Sequence, residues 1–394
     1  MSTDSIEASC KSWQVFDKLD TTKYSVIHKL YNPLIGKYNN CFISYTLITL
    51  IVIMVTFEPL LITAYLELPT FTKETASLKL PFLWDFNMLF MLLISFPMLI
   101  YFAVSDQPVL INAIKNVTRD NIISISIENA QNLVRKWENR FKNFNILSRV
   151  CGIMFGGLAV YLNYIMWSSP NVGFWAYNGT RFYTTGLVYL YCVFSFYYII
   201  SVYIIRIGSI TLFLQDIVKC ADVRLNPLHL DRCGGLSPVG KIGLRHQYPL
   251  AVIGVNLVIF YFWDLHYLGH SAIINVVLII LVVAYFIVGP LIFFLPLIPF
   301  HEPMINFKSK LAKEFSMILQ GKLDRIRMDI SDKAILKEAG DIIIMLKEII
   351  IPFRNLPVWP FDTETRSKFF MSYLPPAVSL IFTTFKDRII ALLH

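Results

Sequence analysis

Charged residues are scarce in this chain of 394 residues, since Asp, Glu, Lys and Arg together make up only 16% of it. Hydrophobic residues make up 56%, which is more apolar surface than a soluble fold of this length buries. We therefore expect an all-α, polytopic helical membrane protein whose first partner is the lipid bilayer.

Cysteine is also sparse. The six cysteines are scattered, with no Cys-x-x-Cys pair and no cluster. We therefore expect a reduced or lipid-buried setting and not a disulfide framework. Residues 1–41 lack a leading apolar core, which argues against a cleavable signal peptide. The first apolar run is then expected to act as an uncleaved signal anchor.

The motifs of common enzymes are missing as well. The sequence has no Gly-x-Ser-x-Gly, no His-Glu-x-x-His, no Ser-His-Asp order and no paired carboxylates within an apolar run. We therefore expect no enzymatic activity, no catalytic residue and no cofactor. The net charge of +8 is not read as nucleic-acid binding, because no zinc spacing, RNP motif or continuous basic stripe accompanies it.

Long apolar runs are abundant, and each that approaches about 20 residues is a candidate membrane span. Pro290, Pro296 and Pro299 predict a bend in the sixth run. A last apolar segment, 369–385, carries Pro375-Pro376 and forms either a seventh, discontinuous span, which we favour, or an interfacial hairpin. The six predicted spans are 42–66, 87–104, 146–167, 182–205, 249–263 and 273–300.

The distribution of Lys and Arg predicts the orientation. Residues 1–41 contain five, 105–145 six, 206–248 six and 301–355 ten, whereas the intervening segments 66–86, 168–181 and 264–271 contain two, one and none. By the positive-inside rule, the basic segments are cytoplasmic. We expect a multi-pass protein of the cell (inner or plasma) membrane with a cytoplasmic N-terminus.

These assignments divide the chain into four parts. Residues 1–41 are a cytoplasmic tail, and 42–300 a six-helix transmembrane domain with cytoplasmic loops 105–145 and 206–248. Residues 301–366 are a cytoplasmic helical segment that ends in an aromatic elbow at 356–362, suited to the lipid headgroup level. Residues 367–394 are the Pro-containing seventh membrane segment.

Two cytoplasmic segments show helical periodicity. The pattern in 301–355 predicts one or two helices, with a break near Ser331-Asp332. The pattern in loop 105–145 predicts an amphipathic helix with its apolar face on Ile123, Ile127, Ala130, Val134, Trp137 and Phe141.

The segment 206–247 is the strongest candidate for a site, because Gly, Pro, His and charge concentrate there between two apolar runs. Glycines allow backbone N–H groups to approach an anion, and nearby cations supply charge. The alternative is a structural turn that redirects the chain from the fourth span to the fifth. No Walker A motif or dinucleotide fingerprint is present. The ligand or gating residues we expect are His229, Asp231, Arg232, Gly234, Gly235, Lys241 and Arg245, with Gly240 and Gly243 beside them.

Three further patterns carry alternatives. Glu58 lies inside an apolar run. An intramembrane carboxylate either has a function or lies close enough to the headgroups to be hydrated by water there. The spacing of Asp264, His266 and His270 could suit zinc, but we favour interfacial anchoring and expect no metal site. Gly152-x-x-x-Gly156-Gly157 predicts close helix packing.

The sequence resembles a family of prokaryotic multi-pass membrane proteins without an established activity. The resemblance lies in His229-Leu230-Asp231 with Gly234-Gly235-Leu236, in Phe293–Pro296 with Pro299-Phe300-His301, and in Pro360-Phe361-Asp362. The family carries His-Pro-Asp where this chain has His-Leu-Asp. In layout alone, the chain is similar to the seven-span insect chemoreceptor ion channels.

Together these features predict a membrane channel or transporter, acting as a homo-oligomer on an ion or small molecule, with cytoplasmic helices that assemble or gate it. The alternative is a signalling or scaffold protein that binds a partner through residues 301–355.

Overall fold

The structure, a computed structural model, describes residues 14–19, 21, 25, 27, 31, 41–67, 80–168, 175–177, 181–264, 272–328, 344 and 357–393. Within these residues the fold is all-α apart from one short strand pair. In chain order the helices are α1 (Cys41–Val52), α2 (Glu58–Glu67), α3 (Phe86–Phe90), α4 (Phe96–Val104), α5 (Asp106–Arg119), α6 (Ile127–Trp167), α7 (Thr184–Cys220), α8 (Ser237–Ile259), α9 (Ala272–Phe294), α10 (Ile298–Met328) and α11 (Thr363–Leu393).

Short irregular turns join several of these helices end to end. π-Helical turns occur at Ile53–Phe57, Met91–Ser95 and Phe260–Asp264, and a 3₁₀ turn at Leu295–Leu297 joins α9 to α10. The two strands, β1 (Ile123–Ser124) and β2 (Asp222–Val223), pair antiparallel.

Five helical stretches among the described residues are long and apolar enough to cross a membrane: Ile43–Glu67, Phe86–Val104, Ile127–Trp167, Thr184–Cys220 and Ile279–Gly321. The first two match the first two predicted spans, the third and fourth contain most of the next two and continue well beyond them, and the fifth overlaps the sixth. The predicted fifth and seventh spans are not among these five stretches. The protein is therefore a helical membrane protein, as its composition predicts.

α6 and α7 are much longer than a bilayer requires, with 41 and 37 residues. The predicted amphipathic helix and the predicted third span form one helix, because no Gly or Pro interrupts residues 127–151. The predicted apolar face is confirmed for Ala130, Val134, Trp137 and Phe141, which are buried. Ile123 belongs to β1 and not to the helix, since the chain is extended where it pairs with β2.

Glycines bring α6 and α7 together. A Cβ placed on Gly152 would lie 2.6 Å from the Tyr198 ring, and one on Gly156 would lie 2.9 Å from the carbonyl oxygen of Phe194. The predicted packing role is confirmed at these two positions. Gly157 faces open space, with nothing within 4 Å of such a Cβ.

Asp216 links the C-terminal end of α7 to the N-terminal part of α6. Its Oδ2 accepts hydrogen bonds from Lys136 Nζ at 2.9 Å, Trp137 Nε1 at 3.1 Å and Arg140 Nη1 at 3.1 Å. Partial burial alone would raise the pKa of Asp216, but Lys136, Trp137 and Arg140 lower it below its usual value. The carboxylate stays ionised and holds the extended hairpin closed.

The prolines of the sixth predicted span lie within a helical stretch that continues past them, with one 3₁₀ turn at Leu295–Leu297. Pro290 has no N–H to offer the carbonyl of Phe286, four residues earlier. The hydroxyl of Tyr373 in α11 donates to that carbonyl at 3.3 Å. α11 itself continues through Pro375 and Pro376 as one helix, so its backbone does not break at the Pro pair.

The described part of the N-terminal tail packs on the protein. Phe16 and Leu19 are fully buried, Asp17 forms an ion pair with Lys115 of α5, and the side-chain amide of Gln107 donates to the carbonyl of Leu19. This segment therefore closes one end of the bundle. It is the end that the positive-inside rule assigns to the cytoplasm, called the inner end below.

Candidate functional site

The loop between α7 and α8 is built around the carboxylate of Asp231. Its Oδ1 accepts the backbone N–H of Cys233 at 2.9 Å and of Gly235 at 3.0 Å, and its Oδ2 accepts that of Ser237 at 3.0 Å. Because Ser237 begins α8, the same side chain stabilises the N-terminus of that helix.

The backbone wraps around this carboxylate through three left-handed residues. The φ angles are +56° at Arg232, +69° at Gly234 and +94° at Gly235, a region that glycine tolerates at little cost. Gly235 is also sterically constrained, because a Cβ there would lie 2.4 Å from the side chain of Ile122. The glycine pair thus allows both the turn and its close contact with the segment before β1.

His229 completes the loop. Its Nδ1 lies 2.9 Å from Asp231 Oδ1 and its Nε2 lies 3.9 Å from Asp120 Oδ2. Burial alone would raise the pKa of Asp231, but the three backbone N–H bonds and His229 hold it below its usual value. The N–H groups predicted to cradle an anion are therefore already bonded to a carboxylate of the same chain. Leu230, between His229 and Asp231, is 98% exposed.

Four predicted members of this loop lie in α8 instead: Gly240, Lys241, Gly243 and Arg245. The helix starts earlier than expected because Asp231 caps it and Pro238 favours its first turn. Gly240 and Gly243 serve close packing, since a Cβ on each would lie 2.1 Å from the carbonyl oxygen of Pro360 and 2.6 Å from that of Phe293.

The elbow before α11 packs on the end of α9 and the start of α10. The ring of Trp359 stacks on that of His301 at 4.0 Å, and His301 Nδ1 lies 2.7 Å from the carbonyl oxygen of Val358. The ring centroids of Phe361 and Phe293 lie 5.5 Å apart. We expected the aromatic residues of the elbow to lie at the lipid headgroup level. In the structure, the contacts described for them are with other parts of the protein.

Three motifs that are far apart in sequence thus meet at the start of α8. We call this meeting point the inner junction: the loop 229–240, the helix end 293–301 and the elbow 358–362. Asp362 accepts the N–H of Thr365 at 2.8 Å and so caps α11. Burial acts to raise the pKa of Asp362, while the bonds from Thr365 and the charge of Lys241 lower it.

A second group of polar residues lies at the inner end but inside the bundle. Arg206 of α7 is only 6% exposed. Its Nη1 and Nη2 donate to the carbonyl and hydroxyl of Thr21 at 2.8 and 2.6 Å, and its Nε lies 3.4 Å from Asp106 Oδ2. A cavity of about 10 Å³, also lined by Asn145 and Ser148, adjoins it, with room for about one water molecule.

His246 extends this group. Its Nδ1 lies 3.0 Å from the hydroxyl of Tyr203 and 3.7 Å from Asp106 Oδ1. Arg245 donates to the hydroxyl of Ser105. The buried polar cluster is defined as Asp106, Tyr203, Arg206, Arg245 and His246.

Several buried polar atoms here lack a hydrogen bond to any described residue. They include His246 Nε2 and both amide atoms of Gln247, in side chains that are 1% and 0% exposed. Unsatisfied polar groups are costly in a packed interior, so these atoms are the ones here that would bond to water or to a ligand.

The sequence placed Arg206 and His246 inside the candidate segment 206–247 without naming them as site residues, and it did not single out Asp106. Asp106 and Arg206 directly follow apolar runs, a position typical of charged residues that anchor the end of a span in water. One available indication was missed: Asp106 and Arg206 end the second and fourth predicted spans on the same side, where opposite charges at equal depth favour an ion pair.

The remaining predicted residues stand apart. Glu58 is exposed on α2, next to the π-helical turn Ile53–Phe57. His266 and His270 and the side chain of Asp264 lie outside the described residues, as does the predicted helix break at Ser331-Asp332. Within the described part of the chain, no group of three or more His, Cys, Asp or Glu side chains could hold a metal ion.

Comparison with known proteins gives no relative: no family model matches the chain, and no curated protein or solved structure matches it either.

Proposed function

We propose that the protein is a subunit of a membrane channel or transporter, controlled at its inner end by the buried polar cluster. The observation that carries the proposal is the pair formed by Arg206 and Asp106, both nearly inaccessible, between the second and fourth spans. Ionisable groups inside helical membrane proteins usually belong to ion or substrate pathways.

Energetics support a role beyond packing. Removing two charges from water costs several kcal/mol per ion, and apolar residues of similar volume often stabilise a helix interface as well or better. His246 and Gln247 add further polar atoms to the same interior. An arrangement that stability alone does not explain favours a functional origin.

The proposed topology has six or seven spans with a cytoplasmic N-terminus, in the cell membrane. The fifth span is 249–263, in the second half of α8 and its following π-helical turn, and the seventh is 369–385, within α11. The packing of α8 against both α9 and α11 supports this assignment, as does the bond from Tyr373 to the carbonyl of Phe286. Exposed apolar side chains along the spans fit lipid and a second copy of the chain.

The inner junction is the proposed gating element. It links α8, which carries His246, to the end of α9 and the turn before α10 through Gly243, and to the elbow before α11 through Gly240. A movement of α10 or α11 would therefore be transmitted to the cluster through packed contacts. We assign no catalytic residue, and the transported species is an ion or a small molecule.

Reconstitution tests this function directly. The purified protein in liposomes is expected to conduct at least one of K⁺, Na⁺, Cl⁻ or H⁺, measured with ion-selective dyes against protein-free liposomes. Neutralising the exposed Arg224, which forms a surface ion pair with Asp222, is expected to leave the flux unchanged. Silence of correctly folded protein to all four ions would count against a channel.

A second function has its own observation. The distal part of α10 exposes Met317, Ile318 and Leu323, and exposed apolar positions fit a signalling or scaffold protein with a partner bound at 301–355. Crosslinking of the full chain in native membranes tests it. A specific partner that is lost when Met317 and Ile318 become Ser would favour this function, and a crosslinking pattern that does not change would oppose it.

A further inference from the structure

We propose that His246 is a proton-binding site and that proton binding there opens the transport path. The geometry that points to it is the position of the imidazole between the hydroxyl of Tyr203, 3.0 Å from Nδ1, and the carboxylate of Asp106, 3.7 Å from Nδ1. The inference deepens the proposed function and rests on it, because it names the ligand that controls the path.

The charged and titratable groups around His246 come from three helices. Asp106 of α5 is negative, while Arg206 of α7 and Arg245 of α8 are positive, and all three act on the imidazole. Tyr203 of α7 is its hydrogen-bond partner, with the two rings 5.7 Å apart and steeply tilted. One carboxylate therefore opposes two guanidinium groups, so a further positive charge is poorly accommodated in the closed bundle.

Protonation changes hydrogen bonds without changing covalent bonds between heavy atoms. We infer a neutral tautomer in which the hydroxyl of Tyr203 donates to Nδ1 and the ring hydrogen is on Nε2. A proton from water then adds to the lone pair of Nδ1, and the imidazolium carries one positive charge. The new N–H turns to Asp106 Oδ1, the hydroxyl of Tyr203 loses its acceptor, and Asp106 is shared between His246 and Arg206.

The burial of His246 determines which conformation favours proton binding. His246 is 1% exposed and Gln247 is fully buried, so the closed bundle offers the imidazolium little water. A conformation that admits water at this depth hydrates the imidazolium and the unsatisfied amide of Gln247 together. A ligand shifts the population toward the state that binds it better. Acidification is therefore expected to increase the open population, at a lower pH than that at which an unperturbed histidine titrates, because the closed bundle disfavours the imidazolium.

The test compares flux with a direct titration. Flux into liposomes is measured from about pH 7.5 to about pH 4.5, which extends below the ordinary range of histidine, and the His246 resonance is followed by NMR in nanodiscs, assigned by its loss in His246→Gln. Wild-type flux is expected to rise as the pH falls, and His246→Gln is expected to lose this response. Arg224→Gln serves as the matched control, and its flux is expected to keep the acid response.

Two milder variants separate proton binding from a structural role. Asp106→Asn removes the carboxylate that stabilises the imidazolium, so the titration midpoint is expected to fall by about one pH unit. Tyr203→Phe removes the donor that stabilises the neutral ring, so the midpoint is expected to rise. A purely structural role would not shift the two midpoints in opposite directions.

The outcomes distinguish this inference from the proposed function. Flux that does not depend on pH, or an unchanged acid response in His246→Gln, overturns the inference and leaves the proposed function standing. A His246 resonance that does not titrate between these pH values also overturns it. Absence of flux at every pH, with His246 titrating as described, would instead contradict the proposed function.

Discussion

Gly240 lies directly against the carbonyl oxygen of Pro360, so close that a Cβ on the glycine would be 2.1 Å from that oxygen. This contact joins the first turn of α8 to the elbow that precedes α11, across 120 residues of sequence. The inner junction depends on it, because no other residue type leaves room for the elbow backbone at this point.

Gly240→Ala is expected to destabilise the protein by about 1 to 3 kcal/mol, the usual cost of overpacking. The matched control is Gly208→Ala in α7, where nothing lies within 4 Å of the added Cβ. Alanine there is expected to be neutral or to stabilise the helix by up to about 1 kcal/mol. Denaturant titration in detergent micelles measures both changes. Equal effects of the two substitutions would refute the close contact.

Asp231→Ala is expected to lower the free energy of unfolding by about 2 kcal/mol, because charged hydrogen bonds are lost and backbone N–H groups are left unpaired. Asp222, an exposed acidic residue whose ion pair with Arg224 lies at the surface, provides the control. Its replacement by Ala is expected to cost less than about 1 kcal/mol. If both variants behave alike, the Asp231 carboxylate is not the centre of the loop.

The same carboxylate predicts a pH dependence. Its pKa is lowered in the folded protein, so its contribution is present above the unfolded value of about 3.9 and is lost as the pH falls through the folded value. The difference in melting temperature between wild type and Asp231→Asn is expected to shrink below about pH 4. A constant difference from pH 5 to the acid limit of folding contradicts this assignment.

The orientation can be tested with a cysteine of the native chain. Cys220 is exposed at the end of α7 and is expected to face the cytoplasm. A membrane-impermeant maleimide should label it only after cells are permeabilised, with Cys220→Ser showing which part of the signal belongs to it. Labelling of Cys220 in intact cells would reverse the topology.

Apolar runs were sufficient to predict the first four spans, since a stretch long enough to cross the bilayer has few other stable states. The same patterns did not predict that α6 continues from Ile127 to Trp167, because separate rules were applied to its amphipathic and apolar halves. The absence of Gly and Pro at 127–151 already favoured one helix.

The loop around Asp231 could be located from its composition, but not its chemistry. Glycines near a carboxylate fit an external anion and an internal one equally well, and only the fold shows that Cys233, Gly235 and Ser237 donate to Asp231. Gly240 and Gly243 show the same limit, because their roles depend on backbones 50 or more residues away.

The central claim is that the buried polar cluster controls transport, and the most direct test is the flux of Arg206→Gln in liposomes. This variant is compared with Arg206→Lys and with Arg224→Gln at matched protein density and helical content. Arg206→Gln is expected to lose most of the flux, Arg206→Lys to keep part of it, and Arg224→Gln to keep all of it. Wild-type flux in Arg206→Gln would contradict the account.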